Sequence, residues 1–241
     1  MKALIITTVW GRVGITEITY LGFDRIQRVL KEEGIDSEVL VISSEPIHTR
    51  IAKDRGYHVT EQPNDFLGMK YNNGVKYAVE NLEWDYIFDM NSNNLVTDLY
   101  IRIWAAAAKS NVPLFGTGHF YALLPDRNRF TRFRVKNGGL SGVGRGISRK
   151  VIETCFSVSG HFCPPKITSA IDAHSRRNIE SSNKIKRVSL CAGEYPTVLD
   201  IKTGEDMHHH GGHGKSKPRM QFFIDNWPEL MALDDVKSLV I

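Results

Sequence analysis

One stretch of the chain, WDYIFDMNSNNL at positions 84–95, places oxygen-bearing side chains directly after an apolar run. The run ends at Asp89, and four consecutive polar residues, Asn91 to Asn94, follow Met90. Carboxylate and amide oxygens are the ligands that hard divalent cations take, and such cations hold phosphorylated ligands. The local alternative is a helix cap or an Asx turn at Asp89, because Asp favours both. The sequence therefore predicts either a metal–phosphate site or a turn here.

Two other predicted strands also end in hydroxyl side chains. The apolar strand KALIITT ends at Thr7 and Thr8, and the strand SEVLVISS ends at Ser43 and Ser44. Segments with helical spacing separate the strands, and this order predicts right-handed crossovers and a mostly parallel sheet. Ligands of such sheets bind outside the carboxyl ends of the strands. We therefore expect these hydroxyls and Asp89 to lie at one edge of the sheet.

The complete element order predicts the fold class. It is α/β: a Rossmann-type, mostly parallel sheet with helices on both faces, followed by a mixed antiparallel second half. From residue 116 the predicted elements are strands in VPLFGTGHFYALLP, RFTRFRVK, IKRVSLCAG and TVLDIKT, a glycine-rich loop in NGGLSGVGRG and a helix in ISRKVIETCF. The last segment, from Arg219, predicts one or two helices. We expect a single domain over 1–241, with halves at 1–115 and 116–241.

Composition bears on the class of the protein and on its location in the cell. The 241 residues are 41% hydrophobic and 24% charged, which is typical of a globular chain, and no apolar run approaches the roughly 20 residues of a membrane helix. The N-terminus lacks the long apolar region of a signal peptide. Three cysteines without CxxC spacing predict neither a disulfide framework nor a zinc site. These observations predict a cytoplasmic protein.

Several motifs that would define other enzyme classes do not occur. The chain has no GxxxxGK[ST] phosphate loop, no GxSxG elbow and no HExxH. The glycines of GLSGVGRG follow no clear buried strand, so they are a weak dinucleotide fingerprint. What remains is a site built on side chains at strand ends.

The stretch NDFLGMKYNNGVKYAVENLEWDYIFDMNSNN resembles the nucleotide-sugar half of a GT-A glycosyltransferase of the large family-2-like group. In that family an Asn-, Gly- and Ala-containing helix precedes an apolar strand that ends in a D-x-D motif. Asp89, Met90 and Asn91 stand in the D-x-D position, and the resemblance covers roughly residues 2–210. It implies transfer of a sugar from a nucleotide-diphosphate donor to an acceptor hydroxyl, with inversion.

The resemblance also implies a divalent cation, Mn²⁺ or Mg²⁺, that stabilises the leaving diphosphate. Its ligands would be Asp89, Asn91 and His208, the last in the segment GEDMHHHGGHG, where three other histidines are alternatives. An imidazole ligand favours Mn²⁺. The sequence departs from the family because Asn91 replaces the second aspartate. Ser43-Ser44-Glu45 also replaces the aspartate that follows the second strand.

The remaining site residues follow from the same resemblance. Asp172, in SAIDAHSRRNI, would be the general base that takes the proton of the acceptor hydroxyl; it could instead be a helix N-terminal charge. Nucleotide binding is assigned to Thr7, Thr8, Arg12, Ser43, Lys70, Asn73 and Asn91. For Lys70 the alternative is an ordinary solvated helix charge, and the two threonines are also ordinary β-branched strand residues.

A basic stretch bears on the acceptor. The net charge is +4, and no acidic residue lies between Arg127 and Lys150. Within it Phe130 and Phe133 alternate with arginines, which suits a DNA or modified-base acceptor such as a virus glycosylates in its own genome. The alternative is a strand with phenylalanines inward and arginines outward that serves a glycan or small acceptor. Arg145 or Arg149 could contact a phosphate, or this segment could be a plain helix entry.

Two other functions stay open. A sugar-phosphate nucleotidyltransferase would share the fold, but it should carry a glycine-rich basic loop after the first strand. The segment TTVWGRVG approximates such a loop poorly. A non-enzymatic binding module would need neither Asp89 nor Asp172.

Overall fold

The structure is a computed structural model of the chain. It describes residues 1–124, 129–135, 140–168, 171–185, 187–190, 198–201 and 224–232. The predicted metal ligand His208 and its neighbouring histidines lie outside the described residues.

Strands and helices alternate through the first part of the chain, as the sequence predicts. They are β1 (Lys2–Val9), α1 (Val13–Glu32), β2 (Asp36–Ser43), α2 (Pro46–Asp54), β3 (His58–Glu61), α3 (Leu67–Asn81) and β4 (Tyr86–Asp89). The second part contains β5 (Asn94–Val96), α4 (Asp98–Lys109), β6 (Leu114–Gly116), β7 (His119–Leu124), β8 (Arg129–Arg134), β9 (Arg145–Ser148), α5 (Arg149–Ser159), α6 (Ile171–Asn183), β10 (Val188–Ser189), β11 (Val198–Ile201) and a 3₁₀ helix (Pro228–Ala232).

Two sheets organise these elements. The larger has the strand order β10-β6-β9-β4-β1-β2-β3, and within it only β9 runs antiparallel to its neighbours among the described strands. The smaller has the order β5-β11-β7-β8. Strands of both halves therefore share the large sheet, while the division into 1–115 and 116–241 stays a prediction. The α/β class predicted from the sequence, a mostly parallel sheet with helices on both faces and a mixed second half, is confirmed.

Apolar side chains fill both faces of the large sheet. On one face the helices α1 and α4 pack against Ile5 and Phe88, and Trp104 of α4 stacks on Phe88 with ring centroids 4.7 Å apart. On the other face α3 and α5 cover Ile6, and Tyr71 belongs to this second cluster. The continuous apolar runs of β1 and β2 follow from this burial on both sides.

The sequence prediction of a plain loop in NGGLSGVGRG is wrong at its end. Arg145 and Gly146 begin β9, which inserts antiparallel between β4 and β6. Gly146 is required there, because a Cβ on it would lie 2.1 Å from the Phe115 ring. Within the described residues no helix is long and apolar enough to cross a membrane.

Candidate functional site

The carboxyl ends of three adjacent strands meet at one edge of the large sheet. β1 lies between β2 and β4 and runs parallel to both. In this register Val9 is opposite Ser43, and Ile6 is opposite Asp89. The polar strand ends singled out in the sequence are therefore neighbours. This edge is the candidate site, as expected for an open parallel sheet.

The side chain of Lys70, on α3, reaches the end of β1 at this edge. Its side chain is only 2% exposed, and Nζ donates to the Val9 carbonyl at 2.7 Å and to Asn64 Oδ1 at 3.4 Å. Burial lowers the pKa of Lys70 to about 8, partly offset by the nearby Glu45 carboxylate. No carboxylate of the described residues forms an ion pair with it. Lys70 is thus a buried cation and not the solvated helix charge of the alternative interpretation.

The loop after β1 has a defined shape. Gly11 and Arg12 both adopt left-handed backbone conformations, with φ of 57° and 48°. The Gly11 N–H donates to Glu45 Oε2 at 2.6 Å, and Nε2 of the buried His48 lies 2.8 Å from the Gly11 carbonyl. Glu45 and His48 therefore hold both polar groups of Gly11. Beside them the Trp10 side chain is 56% exposed, an aromatic surface at the edge of the site.

The predicted hydroxyl ligands divide into two kinds. Thr7 is fully buried and its Oγ1 has no hydrogen-bond partner among the described residues, while Thr8 is half-buried. Ser43 Oγ instead donates to the Glu45 carbonyl at 2.9 Å and accepts from the Glu45 N–H, so it closes a turn. Ser43 shapes the edge of the site by holding Glu45. Its predicted role in nucleotide binding stays a prediction.

Asp89 is buried and its oxygens are engaged. Oδ1 accepts from the Tyr71 hydroxyl at 2.5 Å, and Oδ2 accepts from Arg145 Nη2 at 2.6 Å and Nε at 3.1 Å. Burial and the Asp89 charge raise the pKa of Tyr71 well above its ordinary value. No sequence pattern marked Tyr71, and for Arg145 the sequence left open a contact with a phosphate or a place in a plain helix entry. In the structure Arg145 binds Asp89.

Arg145 also connects Asp89 to α6. Its Nη1 donates to Ser175 Oγ at 3.1 Å, and Ser175 is fully buried. Asp172 lies in the first turn of the same helix, as the sequence predicts for a residue near a helix start. The position of its side chain is outside the described part of the structure. Its role as a base stays a prediction.

The described residues do not form a metal site. Asn91 is exposed, Asp89 has a guanidinium at its Oδ2, and no group of three His, Cys, Asp or Glu residues within the described ranges is arranged to hold a cation. His208 lies outside those ranges. The described donor set therefore does not fit Mn²⁺ or Mg²⁺, and the predicted cation stays a prediction.

The other amides of the opening stretch have structural partners. Asn93 Nδ2 donates to Asp200 Oδ1 at 2.8 Å and to the Ile201 carbonyl at 2.9 Å, which fastens β11 beside the site. Asn73, predicted to bind nucleotide, is exposed on α3 and donates to Gln62 Oε1 at 2.9 Å. The amide-rich run is thus explained in part by the anchoring of the second sheet.

Two further basic regions lie on β8 and at the start of α5. On β8 the side chains of Arg132 and Arg134 are exposed, while Phe133 stacks on Phe120 with centroids 5.1 Å apart. This is the inward and outward alternation that the sequence offered as an alternative. Arg149 donates to the Leu82 carbonyl at 3.1 Å and lies over the Trp84 ring. It is at the opposite end of β9 from Arg145 and begins α5, which fits the alternative of a plain helix entry.

Comparison by sequence finds no protein-family model that matches the chain and no curated protein that matches it. Comparison of structures finds TarS of S. aureus. The complex of TarS 1-349 with UDP-GlcNAc has a TM-score of 0.57 at 14% identity, covering 97% of this chain and 68% of that one. The complex with UDP has a TM-score of 0.54 at 15% identity, covering 84% and 61%.

A further structure of TarS 1-349 has a TM-score of 0.55 at 12% identity. It covers 83% of this chain, and this chain spans 60% of its length. At identities this low, the structural likeness shows a shared fold alone. The activity and ligands of TarS are therefore carried to this chain only as a proposal.

Proposed function

We propose that the protein is a glycosyltransferase that moves a sugar from a nucleotide-diphosphate donor to an acceptor hydroxyl. The observation that carries this proposal is the buried Lys70 cation at the carboxyl edge of a sheet whose fold is shared with a protein solved with UDP-GlcNAc. A buried ammonium without an ion-pair partner among the described residues is costly to maintain. An anionic ligand would offset that cost.

The donor would lie across the ends of β1 and β2. Trp10 offers an exposed ring on which a base can stack, and the half-buried Thr8 offers a hydroxyl nearby. Lys70 would then face the diphosphate. The attraction between its ammonium and the leaving group strengthens as the leaving group becomes more negative. Arg12, in the loop after β1, is the second cation within this region.

The acceptor hydroxyl has to lose a proton as it attacks the sugar. We assign Asp172 as the general base that accepts this proton. It lies in the first turn of α6, where the helix dipole also favours a carboxylate. Attack from the side opposite the leaving diphosphate inverts the configuration. No step of this scheme passes through a divalent cation.

The nucleotidyltransferase alternative is less well supported. Such an enzyme would use the amides of the loop after β1 to bind phosphate. Here the Gly11 amide donates to Glu45 Oε2 at 2.6 Å, so a carboxylate stands where a phosphate would have to bind.

For the acceptor, the exposed Arg132 and Arg134 favour a molecule that carries negative charge, DNA among them. A neutral glycan would not need these charges. Binding of DNA measured over a series of salt concentrations decides between the two, because phosphate contacts make log Kd depend on log salt. Without salt-dependent binding at low ionic strength, the DNA acceptor is excluded.

The proposed donor is tested by thermal unfolding with a panel of nucleoside diphosphates and nucleotide sugars, each with EDTA and with Mn²⁺. At a concentration of about 100 times Kd, a ligand stabilises the folded state by about 2.7 kcal/mol. We expect a UDP-type ligand to raise Tm for the wild type and for Lys76→Met, an exposed lysine on the same helix, but not for Lys70→Met.

Two outcomes of this measurement would contradict the proposal. If no nucleotide raises Tm of the wild type under either metal condition, the protein is not a nucleotide-sugar enzyme. If Lys70→Met and Lys76→Met respond alike, the donor binds elsewhere on the molecule.

A further inference from the structure

At the predicted metal position the structure has an ion pair between two side chains. We propose that Arg145 takes the place at Asp89 that the resemblance assigns to a divalent cation, and that Arg145 thereby positions the first turn of α6. The second half of this inference rests on the proposed function, because it concerns the helix that carries Asp172. The first half concerns Asp89 alone.

Asp89 has a cationic partner within the described part of the chain. Among the described residues, its single negative charge is matched by Arg145, through two N–H groups on Oδ2, while Tyr71 donates to Oδ1. The two side chains of the pair are 1% and 5% exposed. At so buried a position, a divalent ion bound at Asp89 would lie beside the guanidinium, and charges of like sign at such distances repel strongly. Displacing Arg145 would leave its charge buried and uncompensated.

The pair is set by strand register, since Asp89 and Arg145 are directly opposite each other in the β4–β9 ladder. The Gly144 N–H also donates to the Asp89 carbonyl at 2.7 Å, which fixes the start of β9 against the end of β4. On the other side, a Cβ on Gly116 of β6 would come within 3.2 Å of Arg145 Cγ. The backbone around Arg145 is thus arranged to admit its long side chain.

The guanidinium has a third contact, and it reaches a different element. Nη1 donates to Ser175 Oγ, which is fully buried. Ser175 lies three residues after Asp172, in the early turns of the same helix. Through one planar group the sheet edge at Asp89 is therefore connected to the start of α6. Arginine suits this because its five N–H donors have fixed directions.

Two consequences follow. Asp89 contributes no affinity for a divalent cation, whatever the histidines of the segment 208–213 bind. Removal of the Ser175 hydroxyl loosens the start of α6 without changing the groups that face the donor. It should therefore lower kcat and leave the KM of the donor unchanged.

The first consequence is tested on the wild-type protein with Mn²⁺ alone, by paramagnetic broadening of backbone amide signals. We expect the Gly144 and Met90 amides, which flank the ion pair, to keep their intensities at a stoichiometric amount of Mn²⁺. Strong broadening of these two signals that disappears in folded Asp89→Asn overturns the inference. A second measurement compares Mn²⁺ binding of the wild type and folded Asp89→Asn: equal binding supports the inference, and a loss in the variant contradicts it.

The second consequence is tested with Ser175→Ala, against Ser181→Ala as the matched control on the same helix, where the serine is exposed. Release of UDP from UDP-GlcNAc, with water as the acceptor of the sugar, is followed at several donor concentrations. We expect kcat to fall by about tenfold in Ser175→Ala with an unchanged donor KM, because small misplacements of a reacting group cost this much. An unchanged kcat, or a loss confined to KM, overturns the positioning role.

These outcomes separate the inference from the proposed function. If the wild type neither binds nor turns over any nucleotide sugar, the proposed function fails and the positioning role of Arg145 fails with it. The Mn²⁺ measurements still decide whether Arg145 excludes a cation from Asp89, because they need no donor.

Discussion

Replacement of Lys70 by methionine measures how much the buried ammonium destabilises the folded protein. The variant keeps most of the length of the side chain and removes the ammonium of a residue that is 2% exposed in the wild type. It also removes the donor to the Val9 carbonyl, a contact of 2.7 Å. Loss of that hydrogen bond costs about 1–3 kcal/mol at every pH.

The pH-dependent part has a definite sign. Burial lowers the pKa of Lys70 from 10.5 to about 8. Between these values the unfolded chain holds the proton and the folded protein does not, so the free energy of unfolding rises with pH. At about 1.4 kcal/mol for each tenfold change in the protonation equilibrium, the whole effect is about 3 kcal/mol. Below the lower value, where both states are protonated, the cost of the buried charge is fully present.

The assay is urea denaturation of the wild type, Lys70→Met and Lys76→Met near neutral pH and near pH 10.5. Relative to Lys70→Met, the wild type should gain most of about 3 kcal/mol between the two conditions. The pH-independent loss of the hydrogen bond cancels in this difference, as do all other titrating groups that the proteins share. Lys76→Met should show no such gain, because its side chain is exposed.

One result refutes this reasoning. If the stability difference between the wild type and Lys70→Met is the same at both pH values, the ammonium of Lys70 is solvated in the folded protein. An anionic ligand would then have no buried charge to neutralise at this position.

Two further substitutions test the surroundings of the site by urea denaturation. Tyr71→Phe removes the donor to Asp89 Oδ1 and should lower stability by about 1–3 kcal/mol; unchanged stability contradicts this hydrogen bond. Gly146→Ala should cost about 1–3 kcal/mol because the new Cβ meets the Phe115 ring, whereas Gly14→Ala, in α1 with nothing within 4 Å, should be neutral or stabilising. Equal effects of the two alanines would disprove the close packing of β9.

The position of the site was predictable because it depends on local patterns. Apolar runs that end in polar residues mark the ends of β1, β2 and β4, and helical spacing between them implies a parallel sheet. The parallel register then brings these ends to one edge. By contrast, β9 was missed: it has four residues, one of them Gly146, and its pairing partners are far away in the chain. So short a segment has no periodicity to reveal it.

The sequence by itself determined the fold class, the edge at which polar side chains collect, and the presence there of Lys70 and Asp89. Only the tertiary structure decided what surrounds these two charges. Lys70 is buried because α3 packs against β1, and Asp89 meets Arg145, 56 positions along the chain, because β9 inserts beside β4. Burial and charge pairing are properties of neighbours in space, and the spacing of residues along the chain does not encode them.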